Sequence, residues 1–572
     1  MHNGLFLLLR RLRTPLILLI VVYAIATLGF VIIPGVDDQG RPWRMGFFHA
    51  FYVVSYTATT IGFGELPYLF TDAQRMWLTL TIYASVVTWL YSIGAILAAA
   101  QDPVFRSIRT EARFSRAVRN IREPFYLVCG YGDTGSLLVR ALADYGLQSV
   151  ALDVDQERIN ALELSDLPLV VPGLRADASQ PSVLMLAGLQ HPFCQGVIAL
   201  TNRDEVNLKV AIAVKLIAAK LPVICRADTL DVARNMASFG TDHIINAFET
   251  FAARLAMALH SPGMYLLFEW MTAAPGEALR EPIFPPRGIW ILCGYGRFGK
   301  AVHAHLAREG IGTRIIEAAP ERTQPPPGSI VGRGTEADTL FEAGLNDAVG
   351  IVAGTDNDAN NLSIVMTAEA LKPPLFTVAR QNERSNDPLF RRASIDLMMQ
   401  RSSVVAHQIF ALLTTPLLSE FLELALKQGS DWANQTVSRL GGIVGDVAPE
   451  TWGLAITPAQ SPAIVAGLNR GERVTLDDLR RDPRNRDERL AAMILLLKRG
   501  HDETIVPDDH TALAIGDELL LAGRVEARRQ MSWITRNHNS FSYLVRGVER
   551  PSGWIWERLT GAAVKDAARL RS

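Results

Sequence analysis

Two stretches of this 572-residue chain carry the glycine spacing that lets a backbone approach a pyrophosphate. The first is Gly130, Tyr131, Gly132, Asp133, Thr134 and Gly135; the second is Gly294, Tyr295, Gly296, Arg297, Phe298 and Gly299. An apolar run precedes each and an amphipathic run comes after it. Each turn therefore opens a helix whose free N–H groups and dipole favour an anion. An acid closes the next apolar run in both, Asp153 in SVALDVD and Glu317 in TRIIEAA. That is near the roughly 20-residue offset at which such a carboxylate meets ribose hydroxyls. It would repel a 2′-phosphate, which favours NAD over NADP. A third stretch suits a cation instead. Thr60, Ile61, Gly62, Phe63 and Gly64 offer successive backbone carbonyls and one hydroxyl that can replace water around a dehydrating ion.

The elements that position the third stretch are apolar. Residues 15–33 and 76–100 carry no charge. At about 1.5 Å per residue the first is about 28 Å long, close to a hydrocarbon core of about 30 Å. Between them, residues 46–59 are apolar and aromatic but too short to cross, which suits a re-entrant helix. Irregular backbone at that depth survives only inside protein or along a wet cavity. Arg10, Arg11 and Arg13 precede the first span, and Arg106, Arg109, Arg113, Arg116, Arg119 and Arg122 lie beyond the second. This excess of positive charge predicts a multi-pass protein of the inner or plasma membrane with both termini cytoplasmic. No arginine-studded membrane helix suggests a voltage sensor.

Span, half-helix, glycine-broken strand and span, in that order, resemble the potassium-channel family, whose filter is exemplified by TVGYG. The resemblance implies that Thr60 to Gly64 form a selectivity filter for K⁺. It also implies a homotetramer, because one strand supplies one oxygen per layer. Two departures bear on it. Glu65 stands where the family commonly has Asp, and Phe63 lacks the Tyr hydroxyl. Many relatives bend the inner helix at a glycine; the matching position is Ser85, and Gly94 is the candidate gate hinge.

The soluble region repeats itself. GVIALTNRDEVNL (residues 196–208) pairs with GIVAGTDNDANNL (350–362), and each copy then reaches an apolar run with an arginine, Arg226 or Arg380. Alternating strands and helices predict a doubly wound α/β domain, twice. The set of motifs resembles the domains that regulate potassium conductance, over roughly residues 123–420. That resemblance assigns the first nucleotide site to the Gly130–Gly135 turn with Asp153, Val154, Asp155, Asp177, Ala178, Thr201 and Arg226, and NAD as its ligand. The second comprises the Gly294–Gly299 turn with Glu317, Arg333, Thr355 and Arg380. Its arginines suit bare phosphates, so ADP or another adenine nucleotide is expected there.

The expected fold is a membrane α-helical pore module (two spans plus a re-entrant pore loop), two Rossmann-like α/β domains and a small α+β C-terminal lobe. The expected divisions are a pore domain at 1–101, a linker at 102–122, regulatory domains at 123–285 and 286–428, a lobe at 429–530 and a tail at 531–572. In the linker Arg106, Arg109, Arg113 and Arg116 share one face if helical. That face reads either as a contact for anionic lipid or as a solvated connector. The lobe reads as short strands and turns, and the tail, with Trp533, Trp554 and Trp556, has no readable chemistry.

A net charge of −1 gives no support for a nucleic-acid partner. Cys129, Cys194, Cys225 and Cys293 form no C-x-x-C pair and read as buried reduced thiols. No metal site is assigned, although Asp502, Glu503, Asp508 and Asp509 raise calcium as a further ligand. The function these readings imply is a potassium-selective channel gated by a cytoplasmic ligand, and not an enzyme. The alternatives are a membrane-tethered NAD-dependent oxidoreductase and a non-conducting regulatory subunit of a K⁺ transporter.

Overall fold

The computed structural model describes residues 2–64, 68–101, 103–273, 278–279 and 282–547, the side chains of residues 2–12, 99–100 and 103–108 excepted. Glu65, Trp554, Trp556 and the side chains of Arg10, Arg11 and Arg106 lie outside the described residues. The chain divides into two compact units, Met1–Arg122 and Glu123–Ser572.

The first unit is helical. Helix α1 spans His2–Ile32, α2 Phe47–Ala58, α3 Asp72–Gln101 and α4 Pro103–Arg119. Segments Arg13–Ile32 of α1 and Asp72–Ala98 of α3 are long and apolar enough to cross a membrane. At about 1.5 Å per residue α2 is about 18 Å long, too short to cross. The α1 and α3 helices pack closely where Gly29 leaves room for Trp77: a Cβ at Gly29 would lie 2.0 Å from the indole. The same indole Nε1–H donates to the Ala26 carbonyl at 3.0 Å. Hydroxyls inside α3 are satisfied by the helix itself. Ser85 donates to Thr81 O at 2.5 Å and Thr88 to Ala84 O at 2.7 Å, which is the cheap solution where water is absent. Helix α3 is unbroken at Ser85 and at Gly94.

The second unit holds two parallel six-stranded sheets of one topology. In the first repeat the elements are β1 Phe125–Cys129, α5 Asp133–Asp144, β2 Gln148–Asp153, α6 Gln156–Glu163, β3 Gly173–Arg175, β4 Cys194–Ala199, α7 Asp204–Ile217, β5 Val223–Arg226 and β6 His243–Ile245. Crossover helices α8 Ala247–His260 and α9 Pro262–Thr272 come next. The second repeat has β7 Ile289–Cys293, α10 Arg297–Arg308, β8 Thr313–Glu317, β9 Ile330–Val331, β10 Ala348–Ala353, α11 Asp358–Leu371, β11 Phe376–Gln381 and β12 Leu397–Gln400. Helices α12 Arg401–Thr414 and α13 Pro416–Ala425 come after it. Strand order is β3-β2-β1-β4-β5-β6 and β9-β8-β7-β10-β11-β12. This is the doubly wound dinucleotide-binding order, with its crevice where the order reverses between β1 and β4. The central strands are buried on both faces, hence their continuous Val, Ile, Leu and Cys runs.

The repeats share one core. Helix α12 packs on α5, and α8 packs on α10. Val128, Leu138, Phe248, Phe251, Trp290, Phe298 and Ile409 belong to a single buried cluster. Helices α12 and α13 are also apolar but bend by 111°, and their buried faces lie in the clusters of this unit.

The lobe differs from the expectation of short strands and turns. It opens with helix α14, Ser430–Val444, whose Ala433, Val437, Leu440 and Val444 recur at helical spacing and are buried. Strands β13 Glu450–Ala455, β14 Ala492–Arg499, β15 Asp502–Ile505 and β16 Glu518–Gly523 form an antiparallel sheet ordered β13-β16-β14-β15. Helices α15 Val525–Arg536 and α16 His538–Arg546 run on past residue 530. Their Met531, Ile534, Phe541 and Leu544 lie in the lobe core.

Candidate functional site

Helix α2 delivers the chain to Thr60 through Gly64. Its last carbonyls are not idle: Ile61 N–H and Gly62 N–H both donate to Tyr56 O, at 3.0 and 3.3 Å. Backbone φ is +60° at Thr60, +63° at Gly62 and +70° at Gly64. Left-handed residues alternating with ordinary ones put successive N–H groups on one side, and the carbonyls on the other. Here two of the N–H groups, those of Ile61 and Gly62, are held by the end of α2. The negative end of the α2 dipole also favours a cation nearby. Thr60 is a β-branched residue in a conformation costing it roughly 1–2 kcal/mol. Ile61 and Phe63 are exposed in the single chain.

In the first repeat a cleft of about 220 Å³ opens at the carboxyl ends of β1, β2 and β4. Gly130, Gly132, Asp153, Val154, Asp177, Ala178 and Thr201 line it, as the sequence leads one to expect. Gly130 has φ +107°, and a Cβ there would sit 2.8 Å from Thr201 N. Gly135 lets α5 approach the strand, since its Cβ would lie 2.0 Å from Gly130 O. Asp153 is buried and occupied: Oδ2 accepts from Tyr131 N–H at 2.7 Å and Oδ1 from Asp155 N–H at 2.9 Å. Thus the acid fixes the glycine turn, with a lone pair of Oδ1 left for a further donor, Oδ2 being shared with Arg158. Asp155 caps α6 by accepting from Glu157 N–H at 2.9 Å. Thr201 donates to Asn207 Oδ1 at 2.8 Å, and Asn207 Nδ2 donates to Arg226 O at 2.9 Å, tying the loop after β4 to β5. Asp133 is exposed at the first turn of α5, and Tyr131 and Thr134 are buried.

Arg226 is not among the cleft-lining residues. Its buried guanidinium donates to Asp228 at 2.9 and 2.8 Å and to Asn202 at 3.1 Å. Two cations not assigned to the site from the sequence do line the cleft, Arg158 and Arg203. Arg158 Nη1 lies 3.4 Å from Asp153 Oδ2, and close enough to Gly132 that a Cβ there would be 3.3 Å away. The sequence signal for Arg158 is an arginine in the first helical turn after the acid.

The second repeat reproduces the turn. Glu317 accepts from Tyr295 N–H at 2.5 Å and from Ala319 N–H at 2.8 Å. Gly294 has φ +97°, and a Cβ at Gly299 would lie 2.0 Å from Gly294 O. Thr355 donates to Asn361 at 2.7 Å, and Asn361 donates to Arg380 O at 2.7 Å. Phe298 is fully buried and Arg333 is exposed. Arg297 leaves its own turn: Nη1 is 3.5 Å from Asp228 of the first repeat, and its guanidinium lies over Phe248 at 5.6 Å. Arg380 lies over the same ring at 5.0 Å. Arg401 Nη1 also reaches Asp228, at 3.3 Å.

This gathering of arginines sets the local electrostatics. Burial, then the neighbouring Arg401, pushes Arg380 down to about 10. Burial alone would raise the Asp228 carboxyl. The Arg226 hydrogen bonds, with the charges of Arg226, Arg401 and Arg297, outweigh it and hold it below the usual carboxylate range. Burial pushes the thiols up, Cys194 to about 11 and Cys225 and Cys293 to about 12, which suits inert core residues. Among the described residues no group of three or more His, Cys, Asp or Glu side chains is placed to hold a metal. Asp509 is taken up by Arg480 at 2.6 Å.

The fold defines a helical module with two helices long and apolar enough to cross a membrane, joined in one chain to a tandem of doubly wound domains with the dinucleotide-type strand order. Residues 17–102 match the family model for an ion channel, and residues 126–247 and 290–400 each match the TrkA-N domain. The chain therefore carries an ion-channel domain followed by two TrkA-N domains. It is 22% identical over 201 residues to potassium channel protein 1 of Methanocaldococcus jannaschii, covering 35% of this chain and 58% of that one. It is 28% identical over 167 residues to the Trk system potassium uptake protein TrkA homolog of Methanothermobacter thermautotrophicus, covering 28% and 76%. An uncharacterized protein of Methanothermus fervidus is 27% identical over 175 residues, covering 29% and 27%. The chain thus spans 27% and 58% of the length of two of these relatives. Among solved structures, a GsuK channel bound to NAD aligns with 93% of this chain and 99% of its own, at 17% identity and a TM-score of 0.43.

Proposed function

We propose that this protein is a potassium-selective channel whose opening is set by nucleotides bound to its cytoplasmic domains. The observation that carries the reading is the alternating left-handed backbone at Thr60, Gly62 and Gly64, hung from the end of α2. One such strand supplies one carbonyl per layer, so a closed ring of ligands needs a homotetramer about the pore axis. The arginines flanking the spans support a reading with both termini in the cytoplasm, at the inner or plasma membrane. A relative named as a potassium channel supports K⁺ as the permeant ion.

The first cleft suits NAD. Its glycine turn opens α5, its acid can accept from ribose, and Arg158 and Arg203 stand at its mouth. At the position matching Asp155 the second repeat has Ala319, and at the position matching Asp177 it has Arg333, which suits ADP or another adenine nucleotide. Calcium has less support, because Asp509 is already paired. Beyond the first cleft lies a second nucleotide-type repeat, where an oxidoreductase would carry its substrate domain. For a ligand to gate, it must bind the open and closed states with different affinity. The test is K⁺ flux from liposomes holding the purified protein, with NAD, ADP, ATP and Ca²⁺ added singly. Absence of K⁺ flux under every condition would overturn the channel reading, and flux indifferent to all four would overturn the gating.

A further inference from the structure

Helix α4 presents an unpartnered arginine strip. Arg109, Arg113 and Arg116 are exposed, and at about 100° per residue they fall within an arc of about 60°. Phe114 and Val118, 4% and 1% exposed, lie on the opposite side, so the helix has one covered edge and one bare one. Among the described residues none of the three arginines has an ion pair or side-chain hydrogen bond. Arg119 flanks the strip, its Nε donating to Ser115 O at 3.3 Å. The nearby acid, Glu111, projects about 170° away from the centre of the arc. Helix α4 begins at Pro103, just after helix α3 ends at Gln101 and a few residues beyond its apolar segment, and it touches both α3 and α1 within the same unit. Three unpaired guanidiniums on a bare helix face, held at the end of a membrane span, complement a surface of fixed negative charge.

We infer that this strip docks on anionic phospholipid headgroups of the leaflet where α3 ends. The inference rests on α1 and α3 crossing a membrane, and not on the pore conducting. Guanidiniums pair with phosphate oxygens in a fork, and each arginine near an anionic surface strengthens attachment about fivefold. Three together give about a hundredfold, steeply reduced by salt. Attachment would fix α4 against the membrane at the point where the pore joins the cytoplasmic domains.

The test uses the full chain in vesicles of phosphatidylcholine, with or without phosphatidylglycerol. A fluorophore on Thr110→Cys, an exposed position beside the strip, reports contact through a quencher carried on the lipid headgroup. The native cysteines are buried and do not compete for label. Quenching is expected only with phosphatidylglycerol, and is expected to fall with added salt. It should be lost in Arg109→Gln/Arg113→Gln/Arg116→Gln and kept in the triple lysine variant. Equal quenching in both vesicles, or no change in the glutamine variant, overturns the inference. Loss in the lysine variant as large as in the glutamine one overturns it too, by showing a structural role. Displacement by millimolar inorganic phosphate at constant ionic strength would reassign the strip to a soluble anion. K⁺ flux measured on the same vesicles keeps failure of the channel reading distinct.

Discussion

Asp153 accepts a hydrogen bond from the backbone N–H of Tyr131 at 2.7 Å. The glycine turn is therefore fastened by the same side chain that lines the cleft. Asp153→Ala should lose the nucleotide response of the first site and also cost about 1–3 kcal/mol, because a buried N–H is left unpaired. Asp153→Asn keeps one acceptor oxygen and should retain more of the stability. Thermal unfolding of the full chain, with and without NAD, checks both. An Asp153→Ala protein that NAD stabilises as much as wild type would sink the assignment.

Two of the three glycines of the second turn should behave differently. A Cβ at Gly299 lies 2.0 Å from Gly294 O, whereas one at Gly296 meets nothing within 4 Å. Gly299→Ala is expected to destabilise by about 1–3 kcal/mol through overpacking. Gly296→Ala should leave the unfolding temperature unchanged while weakening adenine-nucleotide binding at least tenfold. Calorimetric titration with ADP separates the two effects.

Asp228 gives the second unit a pH dependence. Its carboxyl is held low in the folded protein, so its stabilising contribution is complete above the unfolded value of about 3.9. The contribution is lost as pH falls through the lower folded value. Asp228→Asn should be less stable at neutral pH, by about 3–5 kcal/mol for a broken buried pair. It should also lose less further stability than wild type below about pH 4. Denaturant unfolding at several pH values measures this.

In the membrane unit, Gly62→Ala forces a side chain into a φ of +63° and should abolish K⁺ flux or its preference over Na⁺. Gly94→Ala is the informative contrast. A Cβ there meets nothing within 4 Å, so any change in opening comes from a stiffer helix rather than a clash. Single-channel recording with unchanged open probability would remove Gly94 as the hinge.

Much of the molecule is legible from residue type and spacing. The left-handed stretch at Thr60–Gly64, both glycine turns, and their closing acids at the ends of β2 and β8 need only local pattern. The role of Arg226 is not, because spacing places it on a strand end but cannot say that Asp228 two residues on will claim it. Arg297 and Arg401 meet that same Asp228 across the repeats, a contact no local window contains. Helix α14 escapes a reading of local pattern because Gly441 and Gly442 obscure the apolar spacing of Val437, Leu440 and Val444.

The exchange of helices between repeats, α12 onto α5 and α8 onto α10, has a consequence for how the polypeptide acquires its shape. Each half leaves a hydrophobic face that only the other half closes. During synthesis the first repeat must wait, partly open, until residues 401–414 have emerged. Melting of the pair should then be a single cooperative transition, and a break in the chain between the halves should be tolerated where a missing half is not.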